Sequence, residues 1–385
     1  MKIKYNIKLI SAIMLCAVLT ILSSCDDFVD FQDVILITGT EENNVLRFAV
    51  EEAPATFSIT ASSTARVTQD VNVNFNVDPD MVPIYNEENN ANYEFVPEGS
   101  YEISSNSSQI LSGTAVSDPV TVTITSTENF VEGRNYIIPV TISGQGRMKV
   151  LEASRTVYLR VSRVIDFNAV DISNPDFYDT YQFSEPITGI TEFTYEIRCK
   201  IDEWHSGQPP ISRLSNWGPV DESLPNLLRF GEAGSDVNQL QWVSAEGATF
   251  SETRFATDTW YTISCVYDGS DYRLYVNGSL DSRFSGSGQQ YVLAALELGM
   301  SYGGYEYSQR FLGSVAEIRF WNRALSLNEI QAGLCAVDPS AEGLLAYWKL
   351  NEGEGNVFYD NTGNGRDMDW SNEVVWNTDD NQCAQ

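Results

Sequence analysis

The residues most able to do chemistry here are aromatic rings set among polar side chains. The segment 203–217 carries Trp204, His205, Arg213 and Trp217. The run SYGGYEYSQ at 301–309 carries Tyr302 and Tyr305, and Trp242 lies in a strand-like run beside Gln241. Flat rings can stack on the C–H faces of sugars while Arg, His and amide groups fix the hydroxyls. Trp204, His205, Arg213, Trp217, Trp242, Tyr302 and Tyr305 therefore form the candidate ligand-binding set. For the loop aromatics, ligand contact and plain packing both stand open, since exposed clusters of rings often mark interaction sites.

Acid–base chemistry finds less support, and no catalytic residue emerges. Glycoside hydrolysis takes two carboxyl groups, about 5 Å apart for retention or roughly 6.5–9.5 Å for inversion. With 53 Asp and Glu residues, pairs arise by chance, and solvated or ion-paired carboxylates are the ordinary reading. His205 is the only histidine. That removes schemes needing two, H-E-x-x-H among them. It sits in Glu203-Trp204-His205-Ser206-Gly207, which reads as loop, so a groove-lining or surface histidine is expected rather than a triad member.

The metal candidate is Asp360-Asn361-Thr362-Gly363-Asn364-Gly365. Ca²⁺ takes about six to eight oxygens from carboxylates, amides and carbonyls. Asp360, Asn361 and Asn364 supply such oxygens in a tight turn. An Asx-type turn held by its own side chains is the competing reading. Calcium is the one cofactor the sequence offers.

Charge narrows the partners. The 53 acidic residues face 23 Lys and Arg, a net charge of −30. Such a surface repels phosphate backbones and excludes nucleic acid as a partner. Hydrophobic residues, at 43%, suffice for a packed core. Residues 1–24 read as a secretory signal: Lys2, Lys4 and Lys8 precede the apolar run Leu9–Leu22. That run is short of the roughly 20 residues a spanning helix needs. Cys335 and Cys383 lie in polar, loop-like surroundings near the end of the chain and are expected to pair as a disulfide in an oxidising space. Cys199 and Cys265 alternate with apolar residues on strands, and either buried free thiols or a second bridge fits them.

The elements that must position these groups are strands. Val71–Val77 and Val120–Ile124 alternate without a break, with β-rich runs at Tyr136–Ser143 and Thr156–Ser162. Turn clusters such as EGRN at 132–135 separate them, and no amphipathic helix stands out between 40 and 165. This pattern predicts an immunoglobulin-like β-sandwich over 41–165, after an acidic linker at 25–40. All eight tryptophans lie beyond residue 200, so a second domain is expected over 166–385. Its strands are predicted at Phe193–Ile201, Asn226–Phe230, Gln239–Val243, Trp260–Tyr267, Tyr272–Val276, Leu296–Met300, Val315–Trp321 and Leu344–Leu350. Asn277-Gly278 closes a hairpin. Ser326 and Glu329 spell a capping box for one short helix.

Several of these motifs resemble known families. Trp260-Tyr261-Thr262-Ile263-Ser264-Cys265-Val266-Tyr267-Asp268-Gly269, Arg273–Gly278, Gly313–Trp321 with Asn322-Arg323-Ala324-Leu325-Ser326, Leu345–Gly355 and Asp360–Gly365 together resemble the LamG-like (concanavalin A-like) jelly-roll domains. The resemblance covers about residues 170–385 and implies an all-β jelly roll following the sandwich. It places Trp260, Trp321 and Trp348 in core strands. The family's acidic pair is Ala316-Glu317 here, which weakens the case for calcium. Jelly-roll glycanases carry their acids on one strand as E-x-D-x-x-E, and no such run occurs.

Leu22-Ser23-Ser24-Cys25 resembles a bacterial lipobox, with Asp26 and Asp27 like the surface-export signal of Bacteroidota lipoproteins. Tyr85, Tyr93–Pro97, Tyr101 and 133–142 resemble an N-terminal domain of unknown function found in such lipoproteins. These resemblances imply an outer-membrane, surface-displayed lipoprotein that binds a polysaccharide or glycoconjugate glycan and touches the membrane only through its lipid. A glycoside hydrolase or lyase, and a protein-binding adhesin, are the rival readings. If Cys25 carries the lipid, Cys25→Ala should release the protein from the membrane fraction. Retention of that variant in the membrane would reject the lipobox.

Overall fold

The structure is a computed structural model, and it describes residues 33–144, 148–207, 210–219, 226–232, 234–300 and 309–384. Cys25, Tyr302 and Tyr305 lie outside those residues. The fold is all-β, as expected: a β-sandwich followed by a jelly roll.

In the first sandwich, Val71–Val77 pairs with Ser107–Ile110 and with Tyr136–Gly144, which pairs in turn with Thr156–Asp171. Facing them are the sheets built on Ala55–Ile59 with Val120–Ile124 and on Val34–Ile37 with Ala61–Ser63. Alternate residues of each strand fill one core, including Val73, Phe75, Val122, Ile124, Ile138 and Leu159. Ile35 and Ile37 are fully buried in it, so the expected linker ends before residue 34.

The helix Met81–Asn89 was not expected. Its only buried residue is Val82, so it shows no apolar stripe to read. Pro83 falls in its first turn, where a missing N–H is tolerated. It packs on the outer face of the first sandwich beside Ile137 and Tyr158.

Thr156–Asp171 runs through the expected boundary at residue 165. Its first half pairs with Tyr136–Gly144 and its second half with Val375–Ala384. One strand thus belongs to both domains, and thirteen strands form a single sheet across them. In the second domain that sheet includes Phe193–Ile201, Gly313–Trp321, Trp260–Tyr267, Asp271–Val276 and Ser279–Ser285. Opposite lies a six-stranded sheet, ordered Thr180–Ile190, Tyr291–Leu298, Ser212–Gly218, Asn226–Phe230, Gln239–Ser244 and Gly247–Arg254. The core between the two is aromatic, with Trp217, Trp242, Trp348 and Trp370 buried in it.

A charged cluster sits on the far side of the thirteen-stranded sheet. Between Glu196 and Arg198 the register with Gly313–Trp321 slips, and Glu317 has φ 53°. This bulge lets Val315, Ile318 and Phe320 all face the core while Glu317 and Arg319 face away. Arg319 lies 2.5 Å from Glu317 and 3.4 Å from Glu196. It also donates to the Gly333 carbonyl at 2.6 Å. Tyr347 donates to Glu317 at 2.7 Å, and Trp321 and Ser264 donate to Glu196 at 3.2 and 2.9 Å. Arg198 donates to the Leu334 carbonyl. The helix Leu327–Ala332 carries the full capping box at Ser326 and Glu329.

The segment after that helix meets the first domain. A Cβ on Gly133 would lie 2.1 Å from the Val337 backbone, so only glycine allows this approach. Arg134 pairs with Asp338 at 2.9 Å and Glu132 with Lys349 at 3.0 Å. Cys335 is joined to Cys383 by a disulfide, with the Cα atoms 5.6 Å apart. Cys199 and Cys265 are buried free thiols. The bridge closes a loop of 48 residues. In the chain-entropy account its loss costs about 4 kcal/mol. Urea denaturation with and without reductant should show that loss, and a difference below about 1 kcal/mol would contradict it.

Candidate functional site

Alternation decides which face of the six-stranded sheet each side chain occupies. Leu214, Trp217, Leu228, Phe230, Leu240 and Trp242 point into the core. Their neighbours point outward and form cross-strand rows. One row runs Arg213, Arg229, Gln241, Phe250 across four strands. A second runs Thr180, Glu297, Asn216, Leu227.

Both rows are hydrogen-bonded internally. Arg213 Nε donates to Gln309 Oε1 at 2.7 Å, and Arg229 Nε donates to Gln241 Oε1 at 2.8 Å. Arg229 also pairs with Glu232 at 3.0 Å. The Glu297 carboxylate accepts from Tyr178, Thr180 and Asn216 at 2.5, 2.9 and 3.1 Å. Asn216 Oδ1 is buried without a partner. Arg213 and Gln241 are buried, Arg229 is half-buried, and Phe250 at the end of the row is 36% exposed. The sheet's outer face therefore ends in an open aromatic ring beside ordered donors and acceptors. Among the described residues, Glu297 is the sole carboxylate in its row, so no cross-strand neighbour supplies the second acid that hydrolysis takes.

This placement corrects part of the sequence reading. Trp217 and Trp242 do not line a ligand site. Trp217 stacks on Tyr195 at 4.0 Å between ring centroids, and Trp242 packs edge-on against Tyr272. Both are core, since the outward positions belong to Asn216 and Gln241. Arg213 faces outward but is buried against Gln309.

Trp204 is half-buried and edges onto Phe230, and His205 is half-buried with Nδ1 accepting from Gly207 N–H at 2.9 Å. Phe250, Glu297 and Asn216 were missed. An isolated acid within the apolar run Leu293-Ala294-Ala295-Leu296-Glu297-Leu298 was the available signal for one of them.

The Asp360 turn is committed to its own backbone. Asp360 Oδ1 accepts from Tyr347 N–H, Thr362 N–H and the Thr362 hydroxyl, and Oδ2 from Arg366 N–H. Asn361 and Asn364 turn their NH₂ groups to main-chain carbonyls. The Asp360 carboxylate is thus taken up by the turn, an Asx-type arrangement, while the Asn361 and Asn364 side chains brace it through their NH₂ groups. Among the described residues no group of three or more His, Cys, Asp or Glu is placed to hold a metal. Gly299-Met300-Ser301-Tyr302-Gly303 spells G-x-S-x-G. Ser301, Tyr302 and Gly303 lie outside the described residues; a nucleophile elbow belongs to an α/β sheet, and the described part of this domain is built on β-sheets.

Comparison with known proteins accords with the fold. Residues 176–331 match the family model of the concanavalin A-like lectin/glucanases superfamily, so this part of the chain is a concanavalin A-like domain. Residues 30–148 match a family model of an N-terminal domain. Among solved structures, a Bacteroides ovatus protein to which carbohydrate binding has been ascribed aligns over 91% of this chain and 99% of its own. The TM-score is 0.53 at 22% identity, a likeness of fold. A heptameric SAP-like pentraxin from Limulus polyphemus aligns over 57% of this chain and 94% of its own at TM-score 0.38 and 14% identity, which carries no argument. No curated protein matches the sequence.

Burial lowers the pKa of His205 below its ordinary 6.5, Arg310 lowers it further, and Glu203 opposes them. The unfolded chain therefore takes up this proton first. The neutral imidazole contributes stability above pH 6.5 that is lost as the pH falls below it. With one histidine, a single NMR titration reads this directly. Its midpoint is expected below 6.5, and a midpoint at or above that value would contradict the placement.

Proposed function

We propose that the protein binds carbohydrate without catalysis, through the outer face of the six-stranded sheet in its concanavalin A-like domain. It does so as a lipoprotein held at the outer-membrane surface through Cys25. The carrying observation is the Arg213–Arg229–Gln241–Phe250 row. It joins an exposed ring to Arg229 and Gln241, which orient one another. A ring stacks on a sugar face while preordered amide and guanidinium groups meet hydroxyls at little entropic cost. Trp204 and His205 are further partly exposed members of the sequence-derived set. The fold shared with the Bacteroides ovatus protein supports this reading. Hydrolysis is disfavoured because the face offers Glu297 without a cross-strand partner acid.

Two substitutions separate site from core. On a glycan array, Phe250→Ala should weaken binding about tenfold, or roughly 1.4 kcal/mol, with the melting temperature nearly unchanged. Trp242→Ala should instead cost roughly 3–5 kcal/mol of stability. Wild-type binding by the Phe250 variant would sink the proposed face, and release of reducing sugar from a bound glycan would sink the non-catalytic reading.

A further inference from the structure

Two arginines stand side by side where the domains meet. Arg47 and Arg160 are register partners on Val45–Val50 and Thr156–Asp171. Arg47 Nε donates to Ser162 Oγ at 3.0 Å. Among the described residues, the ion pairs include neither guanidinium. This is unusual in a chain with 53 acidic and 23 basic residues, where a carboxylate partner is easily come by. Adjacent like charges on neighbouring strands repel. An anion placed between them removes that cost.

The arginines open into a cleft of about 360 Å³ shared by both domains. The first domain also contributes Tyr93 and Asn135, and the second contributes Asn277 and Gln331. Asn277 Oδ1 accepts from Thr262 N–H at 2.9 Å, and Gln331 Nε2 donates to the Gly278 carbonyl at 3.0 Å. Among the described residues, their remaining groups, the Asn277 NH₂ and the Gln331 carbonyl, hold no hydrogen bond to the protein. The cleft thus combines paired guanidinium groups, a half-buried phenol ring, and an amide donor opposite an amide acceptor.

We propose that this cleft binds a sugar acid, a uronic-acid unit free or at a glycan end. Guanidinium groups meet a carboxylate through charge-assisted, bidentate hydrogen bonds. The ring and amides suit the face and hydroxyls of the same sugar. The volume lies at the small end of ligand pockets and fits one such unit. Nucleic acid does not compete, because the chain as a whole carries a net charge of −30. The site is distinct from the Phe250 face and stands whether or not that face binds glycan.

The purified full chain would be titrated calorimetrically with glucuronate and galacturonate, and with glucose and sodium sulfate for comparison. The uronates should bind and glucose should not. Arg47→Gln and Arg160→Gln should each weaken uronate binding about tenfold or more. Gln331→Ala, on the other domain, should weaken it several-fold. Arg47 is exposed, so Arg47→Gln should fold even if the Arg160 variant does not. Phe250→Ala should leave uronate binding unchanged. No binding at tens of millimolar uronate, equal binding of glucose, sulfate binding as tightly as uronate, or wild-type affinity in Arg47→Gln would each overturn the proposal.

Discussion

The arrangement of the two domains depends on one buried guanidinium. Arg319 is fully buried, and burial alone would lower its pKa. Glu317, Tyr347 and Glu196 outweigh that and hold its pKa above the usual arginine value. Removing either carboxylate, Glu317 or Glu196, would break a buried ion pair of Arg319, a loss of roughly 3–5 kcal/mol. The attraction also accounts for the backbone around it. Glu317 accepts a left-handed conformation, uncommon outside glycine, because only the bulge brings its carboxylate to Arg319 without turning Val315 and Ile318 out of the core. Arg198 is the contrasting case. Burial pushes its pKa down to about 10, and one of its Nη atoms has no partner.

What these two arginines hold is main chain. Arg319 and Arg198 bind the carbonyls of Gly333 and Leu334, the first residues past the short helix. Those residues lead directly to Cys335, whose partner Cys383 lies on the strand that completes the shared sheet. Two residues further on, Val337 and Asp338 meet Gly133 and Arg134. A charge cluster in one domain thereby fixes where the other domain docks. The cleft with Arg47 and Arg160 forms at that junction, with Leu334 in its wall. A rigid junction is a condition for a two-domain binding site, since a ligand that had to order the domains itself would lose affinity to that entropy.

Much of the architecture was legible because strand periodicity is local. Val71–Val77, Val120–Ile124, Phe193–Ile201, Asn226–Phe230 and Trp260–Tyr267 fall where alternation put them. So does the capping box at Ser326. What escaped was non-local or off-period. The helix Met81–Asn89 has no apolar stripe. The turn EGRN at 132–135 reads as punctuation, yet its glycine and charges contact a segment some two hundred residues away. Tyr291–Leu298 was expected later, at 296–300, because Gly299 and Met300 extend its apolar run past the strand end.

The candidate site shows a different limit, one of parity. Tryptophan and arginine suggest ligand contact by their chemistry, but on a strand the residue before or after decides which of two faces each one takes. Trp242 and Gln241 were read together, and pairing puts them on opposite sides of the sheet. The concentration of tryptophan in the second domain has the same explanation. Trp217, Trp242, Trp348 and Trp370 fill the space between two wide sheets, which takes large rings to span. The ring on the outer face of the six-stranded sheet is instead a phenylalanine on an edge strand, Phe250, next to the glutamine whose neighbour drew attention. Composition concentrates tryptophan in one domain, and only the register says which ring of a strand faces the core and which faces out.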